Sequence, residues 1–161
     1  NYTMMGDTVN TAARLEAGAK QFGVYTLVSE STLKQRFHDA TGKEVLTSDL
    51  LHYRFIDRIT VVGKSEPMEV FEVIGIKGES DISPEEAELF NLFHEGVAAY
   101  QATECDKALA IFHKTKEMEL FKKNKYTPSK MYIERCEQFK LEPPVPPGQK
   151  WDGVFRMTQK H

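Results

Sequence analysis

The hydrophobic rhythm of this chain changes period once, and that change limits the possible folds more than any other feature. Between residues 52 and 61 the side chains alternate: Tyr53, Phe55, Ile59 and Val61 interleave with His52, Arg54, Arg58 and Thr60. A period of two marks a half-buried strand, because successive Cβ atoms point to opposite faces. Gly63-Lys64-Ser65-Glu66 reads as a turn and Met68 to Ile74 as a returning strand, so the pair is expected to form a hairpin. After Ser83-Pro84-Glu85-Glu86 the period becomes helical. Ser83 is a good N-cap, Pro84 suits the first helical position, and a glutamate stands three residues after the cap. Leu89, Phe93, Val97 and Tyr100 make one apolar stripe; Ala108, Ile111, Phe112, Thr115 and Met118 make a second. Thr127-Pro128 opens a third helix with Tyr132, Cys136 and Phe139 on one face. The first two helices take up about 38 residues, near the roughly 34-residue period of helical-hairpin repeats, so one such unit plus a capping helix is expected.

Two zones follow, 1–77 and 78–161, joined by a linker from Gly75 to Ile82. The first reads as α+β. It should hold a strand at Tyr2–Met5, a helix from Thr8 to Lys20 stopped near Gly23, and a strand from Val24 to Val28. A short helix capped by Ser29 should run to Phe37, then a polar loop over 38–50, then the hairpin. In the second zone the tail Pro143 to Gly148 is extended, and Trp151 is expected to pack back onto the helices. The chain opens on Asn1 and runs straight into a strand, so it is expected to be the C-terminal piece of something longer.

Composition removes several classes of function. With 161 residues, 40% hydrophobic and 28% charged, the chain has the make-up of a globular protein rather than a disordered tail or a fibre. Its net charge of −3 offers no basic surplus for nucleic acid or an anionic membrane. No apolar run approaches the roughly 20 residues needed to span a bilayer, and none of these residues reads as a signal peptide. Cys105 and Cys136 fit no metal spacing and read as free thiols in a reducing compartment, so a cytoplasmic location is expected, with membrane anchoring of a longer parent by an upstream region left open. His38, His52, His94, His113 and His161 have neither metal spacing nor a partnered nucleophile, and Lys122-Lys123-Asn124-Lys125 reads as a solvated helix end. No metal-ligating set is therefore assigned within the chain.

The chemistry concentrates in Gly6-Asp7-Thr8-Val9-Asn10-Thr11-Ala12-Ala13-Arg14-Leu15-Glu16. Asn10 and Arg14 stand four apart and share one helix face. The opposite stripe, Val9, Ala12, Ala13 and Glu16, is expected to let this helix lie close against a sheet. An amide and a fixed cation one turn apart near a helix start can hold a phosphorylated ligand. The same pattern also fits a capped surface helix with a solvated arginine.

The string resembles the signature of the class III nucleotidyl cyclases, the adenylyl and guanylyl cyclase family. Tyr2-Thr3 upstream and the hairpin Ile59 to Val73 with Gly63-Lys64-Ser65-Glu66-Pro67 resemble the same family, so the likeness covers about residues 1–75. It implies the C-terminal half of a ferredoxin-like cyclase domain and the conversion of ATP to cyclic AMP and pyrophosphate. By the same resemblance Asn10 would orient the ribose, and Arg14 would stabilise charge on the α-phosphate. Thr3 would stand at the purine-selecting position and lean towards ATP. Many members carry a phosphate-binding lysine just before the hairpin glycine, where this chain has Val62; either Lys64 stands in for it as a substrate-binding residue, or Lys64 is an ordinary turn lysine and phosphate affinity is weaker. The family's Mg2+ or Mn2+ ligands and its purine-contacting lysine would lie upstream of this chain; Asp7 reads as a helix cap. The active site would form between two cyclase domains packed head to tail. The tail Trp151-Asp152-Gly153-Val154, after the helix carrying Tyr132 to Cys136, resembles an extension found in some bacterial membrane-sensor cyclases. A second reading stays open: a degenerate cyclase-homology domain that binds partners without catalysis, favoured by Val62.

Overall fold

The computed structural model describes residues 22–24, 26–60, 66–119 and 126–156. The strand expected at Tyr2–Met5, the helix from Thr8 to Lys20 and the turn at residues 63–65 lie outside them. The architecture is α+β, and the chain divides into two compact units: residues 1–81 with 156–161, and residues 82–155.

In the first unit, β1 (Leu27–Ser29) leads into a helical turn, α1 (Glu30–Leu33). Ser29 caps that turn by accepting from the Thr32 amide at 3.3 Å. A small hairpin of β2 (Arg36–His38) and β3 (Glu44–Leu46) follows, then a second helical turn, α2 (Thr47–Leu50). The helix expected to reach Phe37 therefore stops at Leu33, and the expected loop over 38–50 is partly a strand and a helical turn. Asp39 explains the difference. Its carboxylate accepts from the Thr41 amide at 2.9 Å, the Thr41 hydroxyl at 2.6 Å and the Lys43 amide at 3.0 Å, which closes the hairpin loop with Gly42 at φ +84°.

The long strands β4 (Leu51–Thr60) and β5 (Met68–Ile76) pair antiparallel, and β1 pairs antiparallel with the other edge of β5. The sheet order is β1–β5–β4–β6, Arg156 of the two-residue β6 (Phe155–Arg156) belonging to this unit. The linker expected from Gly75 starts later, since β5 continues to Ile76.

The alternation in β4 is not continuous. Phe55 pairs with Phe71 but Asp57 pairs with Val70, so Ile56 is an extra residue, a β-bulge. Before the bulge Arg54 faces the core; after it Asp57 and Ile59 do. Tyr53 is consequently 42% exposed and Arg54 only 5%, the reverse of a simple apolar-in, polar-out reading. On the half-exposed face the Phe71 ring meets Tyr53 and Phe55 edge to face, at 5.6 and 5.7 Å between centroids.

On the buried face, Arg54 lies opposite Glu72 and donates through Nε at 3.1 Å and Nη2 at 2.5 Å to the Glu72 carboxylate. Both side chains are at most 3% exposed. Two charges removed from water hold only as a pair, and breaking such a pair costs about 3–5 kcal/mol.

The second unit is helical: α3 (Pro84–Gln101), α4 (Cys105–Met118) and α5 (Pro128–Leu141). The Ser83–Glu86 capping box is complete. Ser83 Oγ accepts from the Glu86 amide at 3.1 Å, and Glu86 Oε1 accepts from the Ser83 amide at 3.0 Å. All four residues of the first apolar stripe, Leu89, Phe93, Val97 and Tyr100, are buried. Gly96 lets α4 approach, since a Cβ there would stand 2.8 Å from the Phe112 ring. Phe112 stacks on Tyr132 of α5 at 4.9 Å. At the start of α5, buried Glu119 accepts from both the amide and the hydroxyl of Ser129, and Ser129 Oγ meets Thr115 Oγ1 at 2.7 Å. That satisfies one of the amides a helix start leaves without an intrahelical partner. Trp151 does pack back onto the helices, 8% exposed. Among the described residues no helix is long and apolar enough to cross a membrane.

Glu72→Ala should lower the urea stability of the sheet unit by about 3–5 kcal/mol, whereas Arg54→Met with Glu72→Leu together should recover most of that loss. Equal losses in the single and double variants would mean that the pairing itself is not what holds the two charges in the sheet.

Candidate functional site

Thr3, Asn10, Arg14 and Lys64 all lie outside the described residues, as do Asp7 and Val62. Among the described residues, the sheet register builds a different cleft. Ser29 lies opposite Val70, and Arg58 lies opposite Glu69. Because β1 and β4 both run antiparallel to β5, their C-terminal ends meet at the start of β5. That convergence leaves a cleft of about 320 Å³ lined by Ser29, Glu30, Ser31, Arg58, Pro67, Met68 and Glu69.

Two carboxyl groups face each other there. Burial, then the hydrogen bond to Glu30, pushes Glu69 above the ordinary carboxyl range. Glu30 is held below it, first by Lys34, whose Nζ stands 2.8 Å from Glu30 Oε1, and then by the Glu69 hydrogen bond. The two carboxyls are thus pushed apart in acidity, Glu69 the weaker acid and Glu30 the stronger. The cleft can offer a donor, an acceptor and the Arg58 cation to a small polar group. Sequence reasoning did not single out Glu30 or Glu69, which lie 39 positions apart and meet only through the β1–β5 register. Arg58 was legible as an outward-facing strand residue, but not as part of a cleft.

Divalent metal does not fit this arrangement. Among the described residues no three His, Cys, Asp or Glu side chains gather as a metal site. Two carboxyl groups, one of them already paired with Lys34, are a poor cage for Mg2+ or Mn2+. The thiols are no better placed: burial pushes Cys136 up to about 12 and also raises Cys105.

Comparison with known proteins gives two relatives. The chain is 29% identical over 136 residues to "Adenylate cyclase, terminal-differentiation specific" of Dictyostelium discoideum, a stretch covering 84% of this chain and 6% of that protein. It is 32% identical over 75 residues to "Adenylate cyclase 1" of Rhizobium meliloti (strain 1021), covering 47% of this chain and 10% of that protein. The chain thus spans a tenth or less of the length of these relatives. No family model matches it, and no solved structure matches it. A matched stretch of 136 residues fits inside neither unit, so the first similarity reaches into both.

The carboxyl pair predicts a pH dependence with a worked sign. Above pH 4.5 the unfolded chain loses the Glu69 proton while the folded chain keeps it, so this pair's contribution falls as pH rises through the Glu69 range. Glu30 acts in the opposite sense, losing its contribution as pH falls below 4.5. Glu69→Gln should therefore flatten the decline in melting temperature above pH 4.5, read as the difference from wild type. An unchanged pH profile in that variant would show that the two carboxyls do not interact.

Proposed function

We propose that this chain is the C-terminal part of a class III adenylate cyclase that converts ATP to cyclic AMP and pyrophosphate inside the cell. The observation that carries this reading is the similarity to the Dictyostelium adenylate cyclase, which runs through both units rather than through one strand–helix motif. The eleven-residue string from Gly6 to Glu16 also supports it. In this reading the chain supplies one half of a site shared with a second cyclase domain packed head to tail. Asn10 holds the ribose so that its 3′-oxygen lines up with the α-phosphate. Arg14 places a permanent, forked cation where negative charge builds as that oxygen attacks. Thr3 contacts the purine edge, and Lys64 meets the phosphates. Mg2+ or Mn2+ enters this proposal only through ligands upstream of the chain.

The second reading is a non-catalytic binding module. Val62 favours it, standing where many cyclases carry a phosphate-binding lysine. The Asn10–Arg14 pair favours catalysis, because a binding module has no use for both at that spacing.

In the full-length cyclase, Arg14→Ala should cut turnover by about a hundredfold or more with little change in KM, because the guanidinium acts mainly in the transition state. Asn10→Ala should also lower turnover, and Thr3→Cys should shift the preference from ATP towards GTP without abolishing activity. The isolated 161-residue chain, incubated with ATP and Mn2+, should form no cyclic AMP above a blank. Full activity in the Arg14 variant, at unchanged melting temperature, would move the chain to the second reading.

A further inference from the structure

In the helical unit α4 packs closely on both α3 and α5, whereas α3 and α5 approach each other less closely. The seam between α3 and α5 is bridged by rings: Tyr100 meets Tyr132 at 4.7 Å and stacks on Phe139 at 5.6 Å. A separate segment enters this seam. Trp151 sits edge-on against Tyr100 at 5.1 Å and against Phe139 at 5.3 Å. Two residues on, Gly153 runs against Gln101 of α3 at φ +76°, where a Cβ would stand 3.3 Å from the Gln101 Cγ. Val154 is buried, its amide held by the Asp152 carboxylate at 3.0 Å. The Phe155 ring then lies on the Arg135 guanidinium at 3.6 Å. Arg135 is positioned for that role by contacts with Tyr100 Oη at 3.4 Å and Met131 Sδ at 3.5 Å.

The connection to this segment is of a different kind. From the end of α5 to Trp151, residues 142–150 form neither helix nor strand, and all but Pro144 and Val145 are exposed. Leu141, where the connection starts, is 90% exposed. The connection's Pro146–Gln149 turn closes on itself, the Gln149 amide donating to the Pro146 carbonyl at 3.1 Å. A five-residue segment that follows an exposed tether, four of its residues set against the helices, has the form of a ligand bound in cis, where tethering supplies a local concentration on the order of millimolar.

We propose that the α3–α5 seam is a peptide-binding groove for an extended segment of the pattern Trp-x-Gly-Val-Phe, filled in this chain by its own residues 151–155. The Tyr100–Phe139 cleft reads the indole. The φ of +76° favours glycine at the third position, with Gln101 packed closely against it, and the Arg135 face reads an aromatic ring at the fifth. A second copy carries the same segment, so two chains can exchange tails through contacts already present in one.

Trp151 is the single tryptophan of the chain, which makes the test direct. The chain truncated after Gly148 contains none, and a synthetic peptide of residues 149–156 carries it. Titrating that peptide with the truncated chain should give a saturable blue shift of tryptophan fluorescence at one-to-one stoichiometry. Peptides with Trp151→Ala or Gly153→Ala should compete at least tenfold more weakly. Absence of a saturable shift up to millimolar concentration, with far-ultraviolet helicity retained, would overturn the proposal. Should truncation cost helicity, the full chain with a protease site inserted in the exposed 145–149 tether is cut instead and mixed with excess fluorophore-labelled peptide. Uptake of the label with release of the native tail, read by mass spectrometry, is the result expected. A cut tail that exchanges only when the helices unfold would show that residues 151–155 are simply part of the core.

Discussion

The sheet of this protein depends on one buried pair of charges. Arg54 and Glu72 face each other across β4 and β5, each nearly sealed from water. A slip of one residue between β4 and β5 would turn one of the two onto the opposite face and separate the charges, so the pair acts as a register lock. With Arg54 fixed opposite Glu72, Phe55 falls opposite Phe71 and Arg58 opposite Glu69. The extra residue Ile56 lets Arg54 and Ile59 both face inward although they are an odd number of positions apart. The cleft between Glu30, Glu69 and Arg58 is thus a consequence of the same register that protects the charges.

The helical unit is held by a different principle. Its centre is a set of aromatic rings, Phe93, Tyr100, Phe112 and Tyr132, all fully buried and mostly meeting edge to face. Gly96 sets the α3–α4 distance, and the Glu119–Ser129–Thr115 cluster fixes where α5 begins. The tail completes the seam that these helices leave between α3 and α5. Each unit therefore carries its own core.

Much of the helical unit was legible in the sequence, because helix signals are local. Ser83-Pro84 with Glu86 announces a capped start, and the spacing of Leu89, Phe93, Val97 and Tyr100 gives the buried face. The hairpin of β4 and β5 was legible too, but not which way its side chains point. A bulge leaves no mark in a period of two except a stumble, here at Ile56-Asp57, and Arg54 reads as a surface residue until its partner on the other strand is known. The β2–β3 hairpin was hidden by its polarity; Asp39 and Gly42, flanking the turn, were its only signal. The site proposed for catalysis is legible as a string, Asn10 with Arg14, while the cleft at Glu30 and Glu69 is legible only as geometry.

The proposal that this chain contributes half of a shared cyclase site is tested most directly by complementation between two inactive full-length proteins. One carries Arg14→Ala; the other has the metal ligands that this proposal places upstream of the chain replaced. Each alone should be silent. Mixed under conditions that exchange subunits, they should recover roughly a quarter of wild-type cyclic AMP production, because half of the randomly paired dimers then contain one intact site of two. Subunit exchange confirmed by differential labelling with no recovery of activity would contradict the account.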